Sequence, residues 1–210
     1  MIRILISEII SIIFPPICYG CSKEGFSLCK SCLDRSRKTI DTPYNWIASV
    51  YSFKEPIIKK SIHAIKYFHR RDLIEPLTKE LACEINTSIN QNQISENWVL
   101  IPIPMPRIRK YIRGYNQAEL ISLSLSKQCS LPTISNTLIR TSSPKRQVTT
   151  KTRGERLKNQ HNSFKVIKDV TGLNIVLVDD VTTTGATLSE ARSVLLKAGA
   201  RSVKAVTIAH

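Results

Sequence analysis

Residues 175–187 read IVLVDDVTTTGAT: four aliphatic residues, two aspartates, then threonines around a single glycine. Four consecutive aliphatics have no polar face, which suits a strand covered on both sides, as in a parallel sheet. The spacing predicts a strand over 174–179, a loop over 180–186 and a helix over 187–198. Gly199 then serves as the C′ residue before the strand SVKAVTIA. In such a βαβ unit the loop lies at the ligand-binding edge of the sheet. Backbone N–H groups gathered at a helix N-terminus bind phosphate, the threonine hydroxyls add donors, and Gly185 allows close approach to the backbone. Asp179 and Asp180 stand beside this cradle. Carboxylates repel a bare phosphate, but they accept hydrogen bonds from sugar hydroxyls and help to hold Mg²⁺. Acid next to a phosphate cradle therefore points to a phosphorylated sugar or a metal bridge.

Other phosphate sites fit less well. The nearest approach to a P-loop, GCSKEGFS at 20–27, lacks the lysine, and no GxGxxG occurs. A Walker B or phosphoacceptor strand also ends in acids, but its companion motifs are missing. Outward from 175–187, apolar runs alternate with helical periodicity, the pattern of a parallel α/β sheet. WIASVYSF (46–53) reads as a first strand, and Pro56 opens a helix with Ile58, Ile62 and Ile65 on one face. A second helix is expected from about Leu73 to Ile85, with a polar loop at 86–97. WVLIPIP (98–104) reads as a strand ended by its prolines, and a further helix runs from about Asn116 to Cys129.

Upstream lie Cys18, Cys21, Cys29 and Cys32, two CxxC knuckles separated by seven residues. Each knuckle can present two thiolates to one tetrahedral Zn²⁺, and four thiolates leave no open position, so such a zinc is structural. Gly20 is expected to ease the turn. Four buried or redox-active thiols are the alternative. Cys83 and Cys129 are isolated within helical patterns and read as small core residues. At the N-terminus, MIRILISEIISIIFPP places Ile2, Ile6, Ile9 and Ile13 on one helical face until Pro15 and Pro16 stop it. Glu8 interrupts the apolar run and no cleavage site follows, so a docked amphipathic helix is expected, with a membrane-surface helix as the alternative. No transmembrane segment and a cytoplasmic location follow from that reading. The expected division is 1–42 for the helix and zinc module and 43–210 for the α/β domain.

The chain has 31 Lys plus Arg against 16 Asp plus Glu, a formal net charge of +15, which favours an anionic partner. Arg107, Arg109, Lys110 and Arg113 cluster in the loop expected after LIPIP. Residues 140–160, RTSSPKRQVTTKTRGERLKNQ, carry seven cations and one acid without apolar periodicity and read as a long mobile loop. A solvated basic turn is the alternative reading of the first run. His63, His69, His161 and His210 are isolated, and none is positioned by a motif as a catalyst.

The 175–187 stretch resembles the PRPP (5-phosphoribosyl 1-pyrophosphate) motif of type I phosphoribosyltransferases. The whole chain resembles the ComF family of competence proteins, through FPPICYGC…CKSC, AIKY, IPIPMPRIRKYIRGYNQAELIS, KRQVTTKTRGERLKNQHNSF and IVLVDDVTTTGAT in family order. The resemblance implies a type I phosphoribosyltransferase-like fold, a parallel sheet flanked by helices, with a small N-terminal zinc module. It also implies a role in natural transformation, with single-stranded DNA and competence proteins as partners. By the same resemblance, Asp179 and Asp180 are catalytic-site residues that hold the ribose 2′ and 3′ hydroxyls of Mg²⁺-bound PRPP. Thr183, Thr184, Gly185, Ala186 and Thr187 would cradle the 5′-phosphate, and Arg107, Arg109, Lys110 and Arg113 would face the pyrophosphate. Gln147, Arg153, Arg156 and Asn159 would act in a loop closing over PRPP. A rival reading makes that loop a track for a nucleic-acid backbone. One departure is His69, near which family members usually carry a glycine. Three functions follow: a phosphoribosyltransferase of unknown acceptor, a PRPP-binding protein acting on DNA, and a PRPP-sensing regulator.

Overall fold

A computed structural model describes residues 15–36, 42, 44–90, 97–141 and 163–210. The amphipathic segment 1–14 and the stretch carrying Gln147, Arg153, Arg156, Asn159 and His161 lie outside the described residues. A short helix α1 (Lys30–Ser36) follows the second CxxC, and β1 is Ile47–Tyr51. Helix α2 (Pro56–Tyr67) begins at its proline, where a missing N–H costs nothing, and a 3₁₀ turn (Arg71–Leu73) leads into α3 (Ile74–Asn90). Then come β2 (Trp98–Pro102), α4 (Arg107–Arg113), α5 (Gln117–Cys129), β3 (Leu138–Arg140), β4 (Phe164–Val166), β5 (Asn174–Val181), α6 (Ala186–Lys197) and β6 (Ser202–Ala209).

Among the described strands, β1, β6, β5 and β2 form one sheet in that order, every pair parallel. Strand β5 is central, bonded to β6 from Asn174 opposite Ser202 through Val181 opposite Ala209, and to β2 on its other side. Its alternation divides the core. Val176 and Val178 pack with Ile58, Ile62, Leu77, Leu81, Ile121 and Leu125 of α2, α3 and α5. Ile175 and Leu177 pack with Leu188, Ala191 and Leu195 of α6 and with Leu138 and Phe164 of the antiparallel β3–β4 hairpin. Both faces are covered, which is why the strand reads as an unbroken aliphatic run; Leu177→Ala here costs about 2–5 kcal/mol. Cys18, Leu28, Cys29, Cys32 and Leu33 join the first of these clusters, so the cysteine knuckles rest on the same core as α2 and α3.

Several expectations need correction. The segment after LIPIP is a helix, α4, rather than a loop, and none of its residues is buried. Helix α3 continues to Asn90, five residues beyond Ile85, because polar residues do not by themselves end a helix. Strand β5 runs on to Val181 and α6 starts at Ala186, leaving a tighter connection than 180–186. Cys83 is exposed, while Cys129 is half-buried with its thiol toward the Ala82 carbonyl at 3.7 Å. His69, the departure from the family pattern, holds φ at 54°, a left-handed conformation that glycine adopts without strain. No helix among the described residues is long and apolar enough to cross a membrane.

Candidate functional site

The β5–α6 connection is built as its sequence requires. Gly185 has φ of 71°, and a Cβ there would meet the Tyr44 ring at 2.8 Å, so both backbone and packing demand glycine. The Thr184 hydroxyl oxygen accepts the Ala186 N–H at 3.4 Å, and helical bonding begins with Ser189 N–H to the Gly185 carbonyl at 2.8 Å. Thr183, Thr184, Ala186 and Thr187 are exposed, while Thr182 is buried and donates its N–H to the Ala209 carbonyl at 3.0 Å. The first turn of α6 carries no acid and no side-chain cap. Apart from the Ala186 N–H, held by Thr184, the exposed residues of this turn leave N–H groups and threonine hydroxyls available to an anion.

Asp179 and Asp180 close β5 immediately before this turn, both largely covered. Asp180 N–H donates to Asp179 Oδ1 at 2.8 Å. Lys66 Nζ, from the end of α2, lies 2.5 Å from Asp180 Oδ2, with the two side chains 24% and 15% exposed. Burial pushes the Asp179 carboxyl up to about 7, and the neighbouring Asp180 charge adds to the rise. The Asp180 N–H and the charges of Lys66 and Arg140 oppose it. Arg140, at the end of β3, donates Nε to the Pro104 carbonyl at 3.2 Å, and its guanidinium lies 5.0 Å from the Phe164 ring centre. The hairpin therefore brings one cation to the carboxylates and α2 brings another. Thr141 and Ser163, the described ends of the basic 142–162 stretch, are joined by a 2.9 Å bond from Thr141 N–H to the Ser163 carbonyl. Ser163 N–H in turn reaches Glu190 Oε1 of α6 at 2.5 Å.

The four cations of α4 are arranged differently. Arg113 donates Nη1 to Gln117 Oε1 at 2.5 Å and sits 5.2 Å from the Tyr67 ring centre, beside the Lys66 end of α2. Lys110 lies 3.7 Å from Glu119. Arg107 and Arg109 are exposed. Gln117 is buried at the start of α5, and its Nε2 has no partner among the described residues. Tyr115 donates its hydroxyl to the Ile65 carbonyl, tying the α4–α5 junction to α2. Sequence reasoning misses Lys66 and Arg140 as neighbours of the acid pair. The AIKY motif holds a signal for Lys66, whereas Arg140 reaches the site only through the hairpin.

The cysteines form a separate centre. The Sγ atoms of Cys18, Cys21, Cys29 and Cys32 all lie within 4.8 Å of one another, with 3.9 Å between Cys18 and Cys32 and 3.6 Å between Cys21 and Cys29. Four sulfurs about 2.3 Å from a common centre form a tetrahedron with edges of about 3.8 Å, so the spacing suits one ion rather than disulfides. Cys29 N–H at 3.2 Å and Gly20 N–H at 3.4 Å donate to Cys18 Sγ. Burial pushes the Cys18 thiol up, but N–H donors from Cys29, Cys21 and Gly20 outweigh it and bring it down to about 6. Burial, then hydrogen bonding among the sulfurs, pushes Cys32 up to about 12. Gly20 is required for space rather than for the turn: a Cβ there would lie 2.8 Å from Cys32 Sγ. The cluster can hold a metal ion.

A parallel sheet with an acid pair and an anion-ready turn at the end of its central strand is the architecture of phosphoribosyl transfer. The family model described as "Phosphoribosyl transferase domain" matches residues 72–210, and the chain belongs to that family. Named relatives match along most of its length. Competence protein ComFC of Bacillus subtilis (strain 168) is 29% identical over 195 residues, covering 92% of this chain and 76% of that protein. Competence protein F of Haemophilus influenzae is 26% identical over 200 residues, with 90% and 87% covered. DNA utilization protein YhgH of Salmonella typhimurium (strain LT2) is 25% identical over 199 residues, with 90% and 86% covered.

Proposed function

We propose that this protein binds Mg²⁺-PRPP and acts on incoming single-stranded DNA during natural transformation. The observation that carries the PRPP reading is the acid pair Asp179–Asp180 set directly against the exposed N–H and hydroxyl groups of the Thr183–Thr187 turn. The ribose 2′ and 3′ hydroxyls would donate to the two carboxylates, and the 5′-phosphate would take the backbone amides of Thr183 to Thr187 and their hydroxyls. Mg²⁺ would neutralise the pyrophosphate, and Arg107, Arg109, Lys110 and Arg113 would face it from the α4 side. Lys66 and Arg140 position the acids, Lys66 by pairing with Asp180 and Arg140 by favouring ionisation of Asp179. The DNA reading draws on the names of the relatives and on the net charge of +15.

The metal of the four cysteines is taken to be zinc, on donor chemistry and spacing, with a structural role because four thiolates leave no place for water. Residues 1–42 would form this module with its preceding helix, residues 43–210 the phosphoribosyltransferase-like domain, and the working location would be the cytoplasm. An active phosphoribosyltransferase of unknown acceptor is the second reading. It is favoured by Arg140, the last residue of β3 and the first of the basic loop expected at 140–160, whose charge acts on Asp179.

A naturally transformable host carrying Asp179→Asn with Asp180→Asn in place of the wild-type protein tests the proposal. Transformation should fall by about tenfold or more at unchanged protein level; an unchanged frequency would separate PRPP binding from the role in DNA handling. Replacing Lys145, Arg146, Lys151 and Arg153 by Ala divides the two readings. A nucleic-acid track loses DNA affinity and salt slope, whereas a lid loses pyrophosphate release with a true acceptor.

A further inference from the structure

Among the described residues, the end of α2 and the whole of α4 expose a group of rings that the core does not use. Tyr67 is 60% exposed, Phe68 63% and Tyr111 91%, with Ile108 (75%) and Ile112 (78%) beside Tyr111 on α4. Helix α4 buries none of its residues, so packing against the core does not explain why its aromatic side chain is there. The two elements meet through Arg113, whose guanidinium lies 5.2 Å from the Tyr67 ring centre. The His63 ring is 4.6 Å from Tyr67 and 5.6 Å from Phe68. Residues 66–71 (KYFHRR) and 107–113 (RIRKYIR) together hold seven Lys and Arg, of which Lys66, Arg70 and Lys110 pair with Asp180, Asp72 and Glu119.

We propose that single-stranded nucleic acid is held on this surface, its bases stacked on Tyr67, Phe68 and Tyr111 and its phosphates met by the cations of residues 66–71 and 107–113. The inference rests on the DNA reading above and gives it a place on the molecule. Exposed aromatic rings interleaved with cations stack on unpaired bases while neutralising the backbone; a duplex offers no free base faces. Here Arg113 of α4 lies against Tyr67 of α2, and exposed Tyr67 and Phe68 stand in a segment that also carries Lys66, Arg70 and Arg71, so cations and rings share the end of α2. Lys66, adjacent to Tyr67 in the chain, is also the partner of Asp180. A strand on these rings would therefore pass the acid pair and could present a group to the phosphoribosyl site.

The test is fluorescence anisotropy of a labelled oligothymidylate titrated with wild-type protein and with the triple variant Tyr67→Ala, Phe68→Ala, Tyr111→Ala. The variant should bind at least about tenfold more weakly, about 1.4 kcal/mol, with an unchanged salt slope because every cation remains. Its Mg²⁺-PRPP affinity should match the wild type. Should the triple variant fold poorly, Tyr67→Trp serves instead, and the fluorescence of its added indole should be quenched by the oligonucleotide as a base stacks on it. Equal binding by wild type and triple variant, or an added indole left unquenched at saturation, overturns the surface and leaves the DNA reading standing. No binding by wild type removes the DNA reading and the surface with it. Loss of binding to phosphatidylglycerol vesicles by the triple variant, with oligothymidylate affinity intact, would assign the surface to a membrane and also overturn the proposal.

Discussion

In the cysteine knuckle four sulfurs crowd within 4.8 Å and meet backbone N–H donors, one another and, at 3.7 Å from Cys32 Sγ, the Arg35 guanidinium, whereas in the β5–α6 turn two carboxylates meet two cations from distant elements. The knuckle concentrates one kind of ligand and so needs a cation to complete it. The turn is nearly balanced by Lys66 and Arg140 before any ligand arrives, and its exposed amides and hydroxyls accept negative charge only beside the acids. On the proposed reading, one centre holds an ion as part of the fold and the other admits an anionic sugar from solvent. Disturbing the first should therefore change stability, while disturbing the second should change binding and its response to pH.

The largest effect is expected at the knuckle. Cys29→Ser should release an equivalent of zinc and lower stability by about 4 kcal/mol or more, since Cys18, Leu28, Cys29, Cys32 and Leu33 belong to the same buried cluster as α2 and α3. Metal analysis with thermal unfolding reads both changes; a metal-free wild-type protein of full stability would turn the cluster into a set of redox thiols.

At the turn the effect is smaller and depends on pH. An unfolded aspartate ionises near pH 4, while folded Asp179 holds its proton to about 7, so the folded chain loses stability as pH rises through that window. Asp179→Asn has no such loss. The variant should gain about 2 kcal/mol relative to wild type between pH 5 and pH 8, as read by denaturant unfolding at each pH. A gap independent of pH would mean that Asp179 ionises normally.

Lys66→Met sharpens the contrast further. It removes the partner of Asp180 and one of the charges that favour ionised Asp179, so the pH at which Asp179 titrates should move upward. The stability cost should stay near 1–3 kcal/mol, because the pair is only partly shielded from water. Carbon-13 NMR of the aspartate carboxyls follows the titration; an unmoved midpoint would place Lys66 outside the electrostatics of the site.

The two centres also differ in how far they can be read from sequence. The CxxC pairs and the run from Ile175 to Thr187 are local: each ligand or donor lies within one turn or loop, and the hydrophobic pattern of β5 follows directly from burial on both faces. Lys66 and Arg140 are not local. Their meeting with the acids depends on how α2 and the β3–β4 hairpin pack on the sheet, and strands of three residues leave almost no periodic signal. Helix α4 reads as a loop in sequence because none of its residues is buried, leaving its proline-led start and Gly114 end as the only cues. Cys83 shows the opposite error, since a cysteine within a helical pattern suggests the core and this one stands in solvent. The need for Gly20 is legible but its reason is not, because contact with Cys32 Sγ can be seen only once the knuckles are folded.

Isothermal titration of Mg²⁺-PRPP into the wild type and into Asp179→Asn with Asp180→Asn addresses the central claim most directly. Wild-type protein should bind one equivalent, and the double variant, folded to the same stability, should lose at least about 100-fold in affinity, about 2.7 kcal/mol. Undiminished binding by the double variant, or no binding by wild type, would contradict the assignment of this turn as the PRPP site.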